Sequence, residues 1–336
     1  LDKSSINQGK KVKKFRKPVD YYRDLVFNGT FDDLRKVEIS LELVNHKMSP
    51  DKMDIWNFYR YHVSRMKPSV TVGLQMYFLV KDNYSNKYLG IICLGSDIYS
   101  LKDRDDKIGW NNENKKKSLR YLLNIKACIP LQPIGFNFTA GKLLTMLAFS
   151  REVSQLFVQK IKAKNKPEYP ILAICTTSLY GKSIQYDRLD CLNFIGKTSG
   201  NSTLHIPDEL MDKCKQLCKA QKVQFRENPH GKNRLSMIKT TLPFLGLTPE
   251  QVTVQDYKRG IYLGYLYPKS RELMNKPELT EAEIMSSIDI NSLPTISEIF
   301  QTWLHKYANR RYERIKSLKK LKKKVNFNIS KREKNT

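Results

Sequence analysis

The sequence predicts a mixed α+β or α/β fold in which helices cover a single sheet. Residues 170–175 form a short apolar run, typical of a strand that is buried on both faces. Residues 74–81 and 88–94 indicate the two strands of a hairpin joined by a polar turn. Apolar residues recur at helical spacing between about 142 and 164. The chain has 336 residues, 40% of them hydrophobic, which suffices for a core around such a sheet.

The elements before the hairpin are predicted to be helical. Residues 1–17 form a basic arm that we expect to be disordered. Residues 18–45 show helical spacing, which Asn28-Gly29-Thr30 interrupts between two helices, and a third helix begins at Ser49-Pro50.

A charged segment follows the hairpin. The alternating charges of residues 101–110 usually indicate a solvated loop, and residues 119–131 read as the next strand. Asp103, Asp105 and Asp106 could bind magnesium in a nuclease. Because no second carboxylate cluster completes such a site, we predict no metal ligands.

The loop before the long helix could bind a phosphate. Thr139, Gly141 and Lys142 stand at the helix N-terminus, where free backbone N–H groups and the positive end of the helix dipole favour anions. Ordinary helix capping explains the same residues. They are therefore candidate cofactor-binding residues, and the identity of any cofactor stays open.

Polar side chains follow the buried strand, at the end where open α/β sheets usually bind their ligands. Ser178, Tyr180, Gln185 and Tyr186 are the candidate catalytic residues of this stretch, if the protein is an enzyme. The pattern then predicts the remaining elements, which are a short helix at 185–193, a strand at 194–198, helices at 207–222 and 235–245, and a strand at 260–267.

The formal net charge of +27 is concentrated at the two ends. Residues 1–17 hold seven Lys and Arg against one Asp, and residues 306–336 hold thirteen against two Glu. Such charge favours a phosphate polymer, because each neutralised phosphate releases condensed counterions. An anionic membrane surface and a merely solubilising charge are the alternatives. No apolar run approaches membrane-spanning length, so we expect no membrane partner.

The six cysteines are predicted to be free thiols in a reducing compartment. Cys214 and Cys218 lie one helical turn apart, but no histidine or second cysteine pair completes a metal site. No signal peptide is visible, and we expect a cytoplasmic protein. Since residue 1 is Leu, the natural chain is expected to begin earlier.

A set of motifs over roughly residues 50–275 resembles the DruA family of the Druantia anti-phage systems, which has transposon-associated relatives. The resemblance implies a role in phage defence or in mobile elements and supplies no established reaction. The family usually has two glycines where this chain has Ala140-Gly141. The motifs that carry the resemblance are Phe58-Tyr59-Arg60-Tyr61, residues 76–82, residues 104–110, Ala140-Gly141-Lys142-Leu143, residues 176–181, Gln185-Tyr186 and residues 258–262.

The order of elements over residues 74–196 is also similar to the Gcn5-related acyltransferase (GNAT-like) fold and to the phage DNA-modifying enzyme Mom. That resemblance implies a cofactor loop at Thr139–Lys142 and a proton-donating Tyr186, although the usual Gly-x-Gly spacing is missing. The domains expected are a disordered arm (1–17), a helical region (18–70), a GNAT-like core (71–200), an α/β extension (201–276) and an appended basic helix and tail (277–336).

Three functions fit these observations. The first is a nucleic-acid-binding component of a defence or mobile-element system, whose partner we expect to be DNA, bound mainly through its phosphates. The second is an enzyme acting on DNA, either a group transferase of acyl or carbamoyl type or a nuclease. The third is an assembly subunit that binds other proteins of the system. The candidate phosphate contacts are Lys182, Arg188, Lys197, Lys232, Arg234, Lys258, Arg259, Arg271, Lys319 and Lys320.

Overall fold

A single seven-stranded mixed sheet organises the computed structural model, which describes residues 15–64, 73–179, 181–201, 208–223, 234–248 and 258–317. The strand order is β1-β2-β3-β4-β5-β7-β6. All neighbouring strands are antiparallel except β4 and β5, so the mixed fold predicted from the sequence is confirmed. The strands are β1 Ile39–Val44, β2 Gln75–Asp82, β3 Lys87–Ser96, β4 Leu122–Pro130, β5 Ala173–Thr177, β6 Asn193–Asn201 and β7 Lys258–Tyr265.

Helices pack on both faces of this sheet. Short 3-10 turns separate some of them, and a π-helical turn, Leu304–Ala308, joins the last two. The helices are α1 Val19–Asp24, α2 Phe31–Leu34, α3 Pro50–Val63, α4 Lys102–Ile108, α5 Asn112–Ser118, α6 Ile134–Asn137, α7 Ala140–Leu147, α8 Arg151–Lys162, α9 Asp208–Ala220, α10 Arg234–Thr241, α11 Ser270–Leu273, α12 Glu281–Ser286, α13 Ile296–Trp303 and α14 Asn309–Ser317.

Alternate residues of each strand point to opposite faces, which gives the sheet two cores. On one face, the main core packs α7, α8 and α13 against β2 to β5. On the other face, α3 covers β2 and β3, while α4 and α11 cover β5 and β7. The described helices include none that is both long and apolar enough to cross a membrane.

Several predicted elements are confirmed, and the N-terminal segment needs a correction. The hairpin is β2 and β3, and the buried strand is β5. The helix predicted up to residue 45 is wrong, because α2 ends at Leu34 and residues 39–44 form β1. Ile39, Leu41 and Leu43 pack on the main core at a spacing of two, and β1 pairs with β2 along its whole length.

Three further predictions are wrong in detail. Residues 102–108 form α4 instead of a loop, and Gly109 ends this helix with φ +91°. The single helix over 142–164 is two helices, because Ser150 caps a new one by accepting the N–H of Val153 at 3.3 Å. The short helix predicted at 185–193 is a series of turns with Arg188 at φ +58°.

The C-terminal helices belong to the main core. Thr295 and Glu298 form a capping box at the start of α13. The Trp303 side chain is fully buried and Phe300 is 1% exposed. Residues after 276 therefore include a helix that packs on α7, which the expectation of an appended segment did not foresee.

Candidate functional site

The two parallel strands in the middle of the sheet diverge at the candidate site. β4 and β5 pair only at Leu122–Ala173, Leu123–Ile174 and Asn124–Cys175. A bulge in the β3–β4 pairing accompanies the divergence. Beyond these pairs a wedge-shaped gap opens between β4 and β5, and we call it the wedge. The sequence does not reveal the wedge, because strand patterns do not show where a ladder ends.

Side chains replace the missing ladder bonds in the wedge. The Thr176 hydroxyl donates to the carbonyl of Ile125 at 3.0 Å, and Gln185 Nε2 donates to the carbonyl of Cys128 at 3.1 Å. The Gln185 side chain also covers Gly141, where an added Cβ would lie 3.1 Å from it. Gln185 therefore closes the wedge, which is a structural contribution in addition to its predicted catalytic one.

Tyr186 lies beside Gln185 with its ring centroid 5.3 Å from that of Tyr262. Burial raises the pKa of the Tyr186 phenol well above its ordinary value, so it stays protonated at neutral pH. Sequence reasoning missed Tyr262, whose hydroxyl accepts the N–H of Ser183 and donates to Asp187, both at 2.8 Å. A tyrosine inside an apolar strand is the signal that could have indicated a buried hydroxyl with partners.

Ser178 fastens the loop after β5 to β7. Its hydroxyl is buried, accepts the N–H of Gly260 at 2.9 Å and donates to the carbonyl of Gly181. A Cβ at Gly260 would collide with the Gly181 carbonyl, which explains glycine at this close approach. Tyr180, the fourth candidate catalytic residue, lies outside the described residues.

The chain itself covers the loop predicted to bind phosphate. Thr139 has φ +55°, and its carbonyl accepts the indole N–H of Trp303 at 3.4 Å. Lys142 is only 9% exposed, its ammonium donates to the carbonyl of Asp187, and it lies 5.1 Å from the ring centroid of Tyr307. Burial lowers the pKa of Lys142. In this arrangement the loop does not present Lys142 to a ligand.

Four of the candidate phosphate contacts lie together at the β6 edge of the sheet, and we call Lys182, Lys197, Lys258 and Arg259 the edge cluster. Gly181 forms an isolated parallel β-bridge with Arg259, and Lys197 on β6 lies opposite Gly260 on β7 in the strand register. The exposed Lys182 carries its ammonium 5.1 Å from the ring centroid of Phe194. Lys197 and Lys258 are 61 positions apart in the sequence, and the pairing of β6 with β7 brings their strands together.

Arg259 is the half-buried arginine of the edge cluster. Its Nε donates to the carbonyl of Ser178 at 3.0 Å, and burial lowers the pKa of the guanidinium. Within the described part of the chain, no carboxylate forms an ion pair with Lys182, Lys258 or Arg259. A desolvated guanidinium without an acidic partner is suited to receive an anion.

The other candidate contacts are dispersed. Arg188 lies near the C-terminal helices, where its carbonyl accepts the Tyr307 hydroxyl at 2.7 Å. Arg271 donates to the carbonyl of Ile108 at the end of α4. Arg234 begins α10, but its side chain is not described. The predictions for Lys232, Lys319 and Lys320 fall on residues that lie outside the described ranges.

Asp105 of α4 takes part in a buried ion network. Asp105 binds Arg104 at 2.5 Å and Lys115 at 3.1 Å, and the fully buried Arg104 also binds Asp97 at 2.8 Å. Asp103 instead packs against the backbone at Gly196. The described residues contain no group of three His, Cys, Asp or Glu side chains placed to hold a metal ion.

Comparison with known proteins agrees with this chain's motifs. The family model described as Druantia protein DruA matches residues 2–276. The chain belongs to this family. A curated relative, Druantia protein DruA of Escherichia coli (strain UMEA 4076-1), is 26% identical over 268 residues, which are 71% of this chain and 65% of the relative. The chain thus spans just under two thirds of that relative's length. No solved structure matches the chain.

The DruA match includes the wedge and the whole edge cluster and ends before α12. The C-terminal helices α13 and α14 therefore lie outside the matched region. Trp303 of α13 and Tyr307 of the π-helical turn nevertheless cover the start of α7 inside the matched region. Thr139 and Lys142 are therefore in contact with residues that lie outside the part of the chain matched by the family model.

Proposed function

We propose that this protein is the DNA-binding component of a Druantia-type anti-phage defence system and that it contacts mainly the phosphate backbone. The edge cluster carries the proposal, because it places Arg259 and three lysines on adjacent chain segments. The net charge of +27 supports the same partner. Phosphate contacts do not read bases, so binding should be strong at low salt and weakly selective for sequence.

The experiment compares duplex binding by the wild type and by a Lys182→Ala/Lys258→Ala variant across a series of salt concentrations. Each phosphate contact adds about 0.9 to the slope of log affinity against log salt. The double variant should therefore flatten the slope by about 1.8. A matched control, Lys162→Ala/Lys276→Ala, removes the same charge from lysines that are paired with Glu168 and Glu272. Equal slopes for both variants would refute the edge cluster as the interface.

The defence role rests on the family and on the relative's name, Druantia protein. We propose that other subunits of the system bind this chain, and that it serves defence rather than a mobile element. Plaque counts in cells that carry the complete system test this proposal. The Lys182→Ala/Lys258→Ala variant should lose protection while its folded protein accumulates normally. Full protection by the variant would separate defence from DNA binding through this cluster.

A second proposal concerns the core, which we infer to be acyltransferase-like (GNAT-like) over residues 71–200. The divergence of β4 and β5, with a helix N-terminus after β4, supports it. Tyr186 holds a proton that it could donate, but burial makes its phenol a weaker acid than an ordinary tyrosine. The covered Lys142 does not fit a resident pyrophosphate, so we derive no step through one. An experimental structure tests this core, because superposition of β2 to β5 and α7 on a solved acyltransferase would support it, and a different order of these elements would oppose it.

A further inference from the structure

A cavity of about 580 Å³ lies at the opposite end of the sheet from the edge cluster. The turn between α1 and α2, the turn between β2 and β3, and Gln132 form its walls. Its volume is within the range of small-molecule sites. Val26 and Phe27 supply an apolar wall, each less than 7% exposed. We call it the α1–α2 cavity.

The polar groups that face the α1–α2 cavity divide into two sets. Asp82 is fully engaged, because it accepts the N–H groups of Glu38, Tyr84 and Ser85 and the Ser85 hydroxyl. Asp33 is engaged by Thr30 in a capping box.

Other lining groups keep hydrogen-bonding capacity. The Asn28 amide makes no hydrogen bond with the described residues, and Gln132 uses only its oxygen, which accepts the N–H of Phe136. Two side-chain amides therefore offer donors and acceptors inside the cavity.

Charge decides which class of ligand fits. The lining holds three cations, Arg23, Lys36 and Lys87, and three acids, Asp24, Asp33 and Asp82. The balance disfavours a polyanion inside the cavity and favours a neutral group. Tyr84 stands in the lining with 71% of its surface exposed, as an aromatic face open for stacking. Flat apolar faces with donors and acceptors at the edge are the properties of a nucleobase.

Helix α14 carries exposed cations and contacts α2, which lies next to this cavity. Phe31 of α2 stacks on Tyr312 of α14 with ring centroids 4.4 Å apart. Helix α14 exposes Arg310, Arg314 and Lys316 to solvent. The preceding π-helical turn contacts Arg188 in the segment that leads from the edge cluster. A strand whose phosphates follow these cations would pass from the edge cluster to the cavity.

We propose that the α1–α2 cavity receives one unstacked nucleobase of a bound DNA strand, with Tyr84 stacking on it and Asn28 and Gln132 bonding to its edge. The inference rests on the proposed DNA-binding function and adds to it. The edge cluster holds phosphates and sets the salt dependence, whereas the cavity binds a base and sets a preference for single-stranded or distorted DNA.

The test uses the full chain and fluorescently labelled twelve-nucleotide strands at one salt concentration. One strand is entirely abasic, and four others carry a single adenine, cytosine, guanine or thymine among abasic sites. All five have equal charge. The wild type should bind at least one single-base strand more tightly by roughly 5- to 140-fold, the range that base–aromatic stacking gives. Tyr84→Ala should abolish this preference, and Tyr84→Phe should retain it.

Asn28→Ala should reduce discrimination among the four bases. Equal affinity of the wild type for all five strands would overturn the proposal, and so would an unchanged preference in Tyr84→Ala. Free phenylalanine, which is a zwitterion with an aromatic ring, and free adenosine are added as competitors of the single-base strand. Displacement by phenylalanine and not by adenosine would also overturn the proposal, because the cavity would then prefer a zwitterionic ligand to a nucleobase. The salt slope is measured separately. A preference that persists while edge-cluster variants leave the slope unchanged would refute the proposed interface and support the cavity.

Discussion

Replacing Gln185 tests whether this side chain closes the wedge. In Gln185→Ala, the carbonyl of Cys128 loses the Nε2 donor that lies at 3.1 Å, and the divergence of β4 from β5 leaves no neighbouring strand to replace it. A buried acceptor without a partner costs about 1–3 kcal/mol. The free energy of unfolding should fall by that amount, which corresponds to roughly a 5- to 140-fold shift in the unfolding equilibrium.

Urea unfolding followed by tryptophan fluorescence measures this change. Ile184→Ala is the matched control, because the neighbouring Ile184 side chain is 82% exposed and should alter stability by less than about 0.5 kcal/mol. Gln185→Glu should destabilise as Gln185→Ala does, since a carboxylate cannot donate to the Cys128 carbonyl. If Gln185→Ala unfolds at the same urea concentration as the wild type, Gln185 does not close the wedge and is available to a substrate.

Two further predictions concern the core. Trp303→Ala should lower the free energy of unfolding by about 3–5 kcal/mol, because the indole is fully buried. Gln301→Ala, on the exposed side of α13, should not lower it. Equal effects of the two variants would show that α13 is not part of the core. Burial raises the pKa of Cys93, Cys128 and Cys191 from 9.0 to about 12. Because the unfolded chain loses these protons at a lower pH than the folded chain, the free energy of unfolding should fall as the pH rises above about 9. Equal urea midpoints at pH 8 and pH 10.5 would contradict this prediction.

The fold class could be predicted because the strongest patterns lie in the middle of the sheet. The β2–β3 hairpin and the buried β5 carry local signals that tertiary contacts reinforce. β1 could not be predicted in the same way, because its apolar residues satisfy a helical spacing as well as an alternating one. Pairing with β2 from Ile39 to Val44 decides the outcome, and a partner strand is not visible locally.

The candidate site was predictable in its residue types and not in its geometry. Sequence reasoning selected Gln185 and Lys142 as polar groups near loops, but their partners, Cys128 and Asp187, lie more than 40 positions away. The charges of α4 suggested a solvated loop because alternation does not reveal burial. Arg104 is in fact fully buried between Asp97 and Asp105.

The measurement that tests the central proposal most directly is the affinity of the wild-type chain for duplex DNA across a salt series. If Lys182, Lys258 and Arg259 each contact a phosphate, log affinity should fall linearly with log salt, with a slope at least as steep as about −2.7. A slope near zero, or no binding at low salt, would contradict the proposal that this member of the DruA family binds the DNA backbone.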